Sequence, residues 1–300
     1  MSDQPISTAP KKTLIAIPNV IGFFHEPTST ISYLVVDPET NQAAIIDPVL
    51  DFDPAAARTS TQAADELLEI IASRSLEVGL ILETHIHADH LSAADYLKGK
   101  LGAKVAVGSQ ICDVQKAFSP LFNLPYPVSP NGRQFDRLLK DDEEFKIGML
   151  DVKVLATPGH TPACLSFLIG DAVFVGDTLF MPDFGTARCD FPGGDAETLY
   201  DSIQKILTLP PQTRIFLCHD YPPEGRLPAW ETTVEAQKTS NIHMAGKTKA
   251  QFADLRRKRD GQLNMPALIL PAIQVNMQAG ALPPEEENGT AYLKIPLNAI

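Results

Sequence analysis

The chain has 300 residues, 44% hydrophobic and 21% charged, with a formal net charge of −12. This is the balance of a globular protein long enough to bury a sizeable core, and its acidic excess argues against a nucleic-acid partner held through its phosphates. No stretch nears the roughly 18 to 20 apolar residues that a membrane-spanning helix needs, so no membrane partner is expected either.

The opening "MSDQPISTAPKK" precedes only a short apolar patch broken by Pro18, and no arginine comes before Arg58, so neither a signal nor a transit peptide is expected. Residues 31–49, "ISYLVVDPETNQAAIIDPV", are two β-rich runs around a polar turn and predict a hairpin. A helix is predicted over 62–74 and a buried strand over 78–85, "VGLILETH". The run "LSAADYLKGKLG" predicts a helix closed by Gly102, followed by the strand "AKVAVG". Residues 118–130, "FSPLFNLPYPVSP", have no periodicity and read as a surface loop or a lid.

Short strands follow in "DVKVLATP", "CLSFLIG" and "AVFVGD"; then come a helix over 195–208 with Asp195 as N-cap and the strand "RIFLCHD". This order predicts an α/β sandwich with helices outside two packed sheets. Helices are predicted over 231–243 and 248–259, and the run "LRRKRD" at 255–260 reads as a solvated helix face. The end of the chain, from "LPAIQVNMQAG" onward, reads as too polar and broken to carry its own core. We therefore expect a catalytic domain over 14–225 and an extension over 226–300 packed on it.

The candidate chemistry lies where apolar runs end. His85, His87, Asp89 and His90 follow the strand at 78–85; His160 ends "TPGH", Asp177 lies in "VGDT", and His219 and Asp220 end "FLCHD". Histidine is the commonest metal ligand among side chains, and five of the seven histidines at strand ends point to a metal site. His25 and His243 lack that context and read as ordinary structural residues. Asp220 reads either as a partner orienting an imidazole or as a turn cap. Cys112, Cys164, Cys189 and Cys218 show no CxxC spacing and read as reduced thiols in a cytoplasmic protein, Cys164 and Cys189 as inert small residues.

"HIHADH", "TPGHT", "VGDTL" and "CHD", in this order, resemble the signature motifs of the metallo-β-lactamase-fold superfamily across about residues 14–225. The resemblance implies an αββα sandwich with the metal site at one end of the sheets. Arg188, Asp190 and Phe191 in "GTARCDFPGG", with the tail "LPAIQVNMQAG", are similar to the persulfide dioxygenase branch. That branch implies one Fe(II) per chain on His85, His160 and Asp177, a two-His, one-carboxylate set with open positions. His87, Asp89, His90 and His219 would then surround the ligands, or hold a second metal. The implied substrates are glutathione persulfide and O2, with sulfite and glutathione as products. The alternative is a hydrolase of glutathione thioesters, similar to glyoxalase II, in which the same seven residues hold two Zn(II) ions and activate a hydroxide. A non-enzymatic sensor with a structural metal is the third reading.

Arg188 reads equally as a binder of substrate carboxylates or as an ion-pair partner of Asp190, and Tyr221 as a pocket residue or as packing. The separation from His85 to His160 is long for the dioxygenase branch, and the surplus falls on an insertion over 118–140 that would reshape the pocket mouth. The extended C-terminus would serve a homodimer interface or the substrate.

Overall fold

The computed structural model describes residues 16–123 and 129–299. The chain first makes β1 (Asn19–His25), β2 (Thr30–Val36), β3 (Gln42–Ile46), β4 (Val49–Asp53), β5 (Arg58–Ser60), α1 (Gln62–Ser73), β6 (Glu77–Leu82), β7 (Leu91–Ser92), α2 (Ala94–Leu101), β8 (Lys104–Gly108) and α3 (Ile111–Phe122). It continues with β9 (Arg137–Leu139), β10 (Glu144–Ile147), β11 (Leu150–Ala156), β12 (Leu165–Ile169), β13 (Ala172–Phe174), α4 (Ala196–Leu207), β14 (Arg214–Phe216), β15 (Glu231–Thr233), α5 (Val234–Ser240), α6 (Lys249–Asp260) and α7 (Ile269–Asn276).

Two six-stranded sheets, β1-β2-β3-β6-β8-β9 and β10-β11-β12-β13-β14-β15, form the middle of the molecule, with a small sheet β5-β4-β7 beside them. Because successive strand residues face opposite sides, β2 serves two cores: Ile31, Tyr33 and Val35 meet Phe167, Phe174 and Phe216 of the second sheet, while Leu34 joins the outer core with Leu67 and Leu97. A third core joins the second sheet to α4 and α6 through Leu199, Ile203, Ile215 and Phe252. Helix, sheet, sheet, helix is the αββα sandwich that the sequence led us to expect. No helix among the described residues is long and apolar enough to cross a membrane.

Three expectations need correction. The stretch 118–130 is not all loop: α3 runs through Pro120 to Phe122 and closes on Asn123 in the left-handed region. Pro120 sits near the helix C-terminus and Ile111, Val114 and Phe122 are buried, so packing outweighs the lost hydrogen bond. Residues 124–128, inside the expected insertion, lie outside the described residues. The helix expected over 231–243 begins as a strand, because Glu231–Thr233 pairs with β14 before Thr233 caps α5.

The run 255–260 is not wholly solvated: Arg256 is buried and pairs with Asp260 one turn on. In the tail, α7 sinks Ile269, Ala272, Ile273 and Val275 into the outer core of the first sheet. Its apolar residues surround it too evenly to give a helical stripe, as in a helix covered on most sides.

Candidate metal centre

The loops after β6, β11, β13 and β14 carry the polar residues singled out above, and they meet at one end of the sheets. The loop after β6 is anchored by Asp47 at the end of β3. Its carboxylate accepts from Thr84 N (2.7 Å) and Thr84 Oγ1 (2.8 Å), and Thr84 O in turn accepts from Leu165 N of the second sheet. With its proton given to Asp47, the Thr84 hydroxyl accepts from His85 Nδ1 at 3.0 Å, leaving the Nε2 lone pair of His85 facing inward. His160 is turned the same way by donating from Nδ1 to Arg188 O at 2.7 Å.

Two glycines set the approach. Gly159, before His160, has φ +136°, and a Cβ there would lie 2.4 Å from the Leu199 backbone. Gly176, before Asp177, has φ +50°, and a Cβ there would lie 2.6 Å from Thr84 Oγ1. Only glycine lets both residues come this close.

Among the described residues, His85, His160 and Asp177 form one group whose ligand atoms all lie within 4.8 Å of one another. His160 Nε2 is 3.6 Å and His85 Nε2 3.9 Å from Asp177 Oδ2. A second group joins His87, Asp89, His90 and His219; His219 Nε2 lies 3.1 Å from Asp89 Oδ2 and 3.4 Å from Asp177 Oδ1. Asp177 thus stands between the two groups. His87 also belongs to a third set with Asp47 and Cys218, because its Nε2 turns to Asp47 Oδ1 at 3.0 Å and Glu83 Oε2 at 3.5 Å.

The residues fit a metal by their own chemistry. His85 Nε2, both ring nitrogens of His87, His90 Nε2, His219 Nε2 and Asp177 Oδ1 are buried without a hydrogen-bond partner, and each orphan of this kind costs about 1–3 kcal/mol if left unmet. Burial and the neighbouring imidazoles hold His85 well below the usual histidine range, so it is a neutral imidazole with a lone pair to offer. Burial also takes His90 down to about 4. Although burial opposes it, His219 beside Asp89 holds that carboxyl well below its ordinary value. His87 goes the other way: burial opposes its charge, but Asp47 raises it well above the usual range.

The remaining site residues divide. Arg188 lines the cavity, yet its fork is closed bidentately on Asp190 (2.6 and 2.7 Å) and its Nη1 donates to Asn264 O at 2.7 Å. Phe191 lies edge-on to His160 at 5.2 Å. Tyr221 does both things expected of it, stacking beside His219 with ring centres 5.8 Å apart while lining the cavity. Asp220 turns away from the imidazoles to Arg226 (2.7 Å) and Ala229 N (2.7 Å), the turn-cap arrangement. Burial pushes the Cys164 and Cys189 thiols up to about 12, which leaves them un-ionised.

Sequence reasoning missed Asp47, Thr30, Glu83 and Asn276. Asp47 ends an apolar run, "AAIID", by the same rule that exposed the histidines. Asn276 of α7 had no such mark. Its Nδ2 donates to His87 O (2.9 Å) and His90 O (2.8 Å), and its Oδ1 accepts from Ser92 N (2.8 Å).

A cavity of about 430 Å3 opens over the centre, lined by Asp89, His160 and Asp177 at its base and by Phe180, Phe184, Leu263 and Leu268 above. Residues 26–219 match the family model described as the metallo-beta-lactamase superfamily. The chain is 50% identical over 292 residues to a probable metallo-hydrolase of Burkholderia pseudomallei, covering 94% of this chain and 99% of that one. It is 30% identical to the human mitochondrial persulfide dioxygenase ETHE1, over 89% and 91% of the two chains. The crystal structure of ETHE1 from Myxococcus xanthus superposes with a TM-score of 0.69 at 31% identity, covering 88% of this chain and all of the other.

Proposed function

Starting from a chain that belongs to the metallo-β-lactamase superfamily, we propose that it is a persulfide dioxygenase holding one Fe(II) on His85, His160 and Asp177. The observation that carries this reading is that His85, His160 and Asp177 come together without His87, whose Nε2 lies 3.0 Å from Asp47 and 3.5 Å from Glu83. The three make a set of two imidazoles and one carboxylate, the donor set of non-haem iron sites with open positions. Resemblance to the human and Myxococcus xanthus proteins supports the same reading. Bound there, ferrous iron supplies the redox chemistry that joins dioxygen to a soft sulfur, which zinc does not.

The reaction takes one glutathione persulfide, one O2 and one water to glutathione, bisulfite and one proton. The outer sulfur loses four electrons and dioxygen takes them up. This chain's own part is to bind and orient. Phe180, Phe184 and Phe191 exclude water from the cavity over the metal centre. With the fork of Arg188 closed on Asp190, a substrate carboxylate is met instead by Arg259, which lines the cavity, lies over the Phe184 ring at 5.6 Å and makes no ion pair among the described residues.

A second reading, two Zn(II) ions and thioester hydrolysis, is favoured by the Asp89, His90 and His219 group with Asp177 between it and the first, and by the hydrolase name of the Burkholderia relative. Metal analysis of anaerobically purified protein, with oxygen uptake on adding glutathione persulfide, decides between them. About one iron per chain with persulfide-dependent uptake is expected; two zincs and no uptake would overturn the dioxygenase reading.

A further inference from the structure

His25 at the end of β1 carries no metal-like context in the sequence, yet it ends a line of hydrogen bonds that begins at the centre. Thr30 Oγ1 lies between the inner imidazoles, 3.3 Å from His90 Nδ1 and 3.4 Å from His219 Nδ1. It is 2.8 Å from Thr28 Oγ1, which is 2.7 Å from His25 Nδ1. On its far side His25 Nε2 faces Asp51 Oδ1 at 3.3 Å. Exposure rises outward along the line: Thr30 and the two inner imidazoles are fully buried, the His25 side chain is 11% exposed and that of Asp51 25%.

The polarity of the line is consistent from end to end. Asp51 can only accept, so His25 carries its hydrogen on Nε2 and presents the lone pair of Nδ1 to the Thr28 hydroxyl. Thr28 then donates outward and accepts from Thr30, whose hydroxyl in turn accepts from the imidazole N–H behind it. From the position of this line between the buried imidazoles and the surface, we infer that Thr30, Thr28, His25 and Asp51 form a proton exit from the metal centre, with His25 as the relay that delivers to solvent.

This inference rests on the one-iron reading, in which His90 Nε2 is free of metal. Turnover releases one proton per sulfur oxidised, and the cavity that admits the persulfide has aromatic walls. His25 opens between cavities of about 220 and 430 Å3 and does not line the substrate cavity, which Thr28 borders. Glu26 and Glu66 face it across the first, and Asp53 and Arg58 across the second. In the transfer Thr30 passes its proton to Thr28, Thr28 passes its own to His25 Nδ1, and the Nε2 proton leaves through Asp51. Each O–H or N–H bond broken is replaced by one formed behind it. One passage leaves both hydroxyl hydrogens pointing inward and the imidazoles in their other tautomers, so the line resets by rotation of the two hydroxyls and by tautomer exchange, that of His25 through solvent; nothing is oxidised or reduced.

The test compares iron-loaded wild type, His25→Ala, His25→Asn and Thr28→Val by persulfide-dependent oxygen uptake in weak buffer, with and without added imidazole, and with iron content measured on each. Asparagine and valine keep the packing but cannot pass a proton. The expected result is full iron, unchanged KM and a kcat lowered at least tenfold, less than the roughly 100- to 10,000-fold of a group that transfers the proton at the reacting atoms. Imidazole, which fits the opened cavity, should restore His25→Ala but not Thr28→Val, where the line is cut nearer the centre. A kcat within twofold of wild type in the His25 variants, or a loss that imidazole leaves untouched while iron is retained, would overturn the relay. Wild type that consumes no oxygen would overturn the dioxygenase reading and the relay with it.

Discussion

Four of the seven candidate ligands sit on one loop, residues 83–90, whereas His160, Asp177 and His219 come singly from the ends of different strands. The two sides are held by different means. His160 and Asp177 are placed by backbone fit: Gly159 packs on Leu199, and Gly176 on Thr84. The loop is held by side chains sent from far along the chain, Asp47 from β3 and Asn276 from α7. A dense motif is thus the part of the site that depends most on outside support.

The sharpest way to break this comparison is at the ligands. Asp177→Asn and His160→Ala are expected to abolish iron retention on gel filtration and with it all oxygen uptake, while His87→Ala keeps the metal. Equal iron loss in all three would remove the distinction drawn for His87. Next in size is Asp47→Ala, which strips a buried imidazole of its counter-charge and Thr84 of its acceptor. Breaking a buried pair in this way costs about 3–5 kcal/mol, to be read as a lower urea midpoint at constant slope. Asn276→Ala should cost about 1–3 kcal/mol for the carbonyls and amide left unpaired, and should weaken iron binding roughly 10- to 100-fold in chelator competition.

A smaller effect is expected at the cavity rim. Arg259→Ala should raise KM about tenfold, the scale of one hydrogen bond to a charged group, with kcat unchanged; Arg188→Ala should instead loosen the 188–190 loop. A pH-dependent effect lies outside the centre, at His243. Burial and the neighbouring Arg256 lower its folded value to about 4. The unfolded chain, at the ordinary histidine value near 6.5, therefore takes up a proton first as pH falls. The stability held by neutral His243 is complete above about 6.5 and drains away toward about 4. His243→Gln should flatten the fall in urea midpoint across that window.

The site was legible where chemistry is dense or where a polar residue ends an apolar run, and that rule marked His85, His160, Asp177 and His219. Asp47, at the end of "AAIID", obeys the same rule. Sandwich order could be read because the two sheets and α1, α2 and α4 follow clean periodicities. It failed at Pro120, where burial of Phe122 overrides a helix breaker, and at α7, whose uniform apolarity carries no period. Arg256 could not have been found, since its burial depends on Asp260 and Thr186, the latter distant in sequence. His25 was passed over for a similar reason: what links it to the centre is two threonine hydroxyls, which have no signature in sequence.

The bonds from Asn276 to His87 O and His90 O join residues 189 and 186 positions apart. Contacts of such long range come late in folding, because the chain between them must be ordered first. The imidazoles that lie closest together in the sequence are therefore tied in place by one of the slowest contacts to form, once α7 has docked on the first sheet.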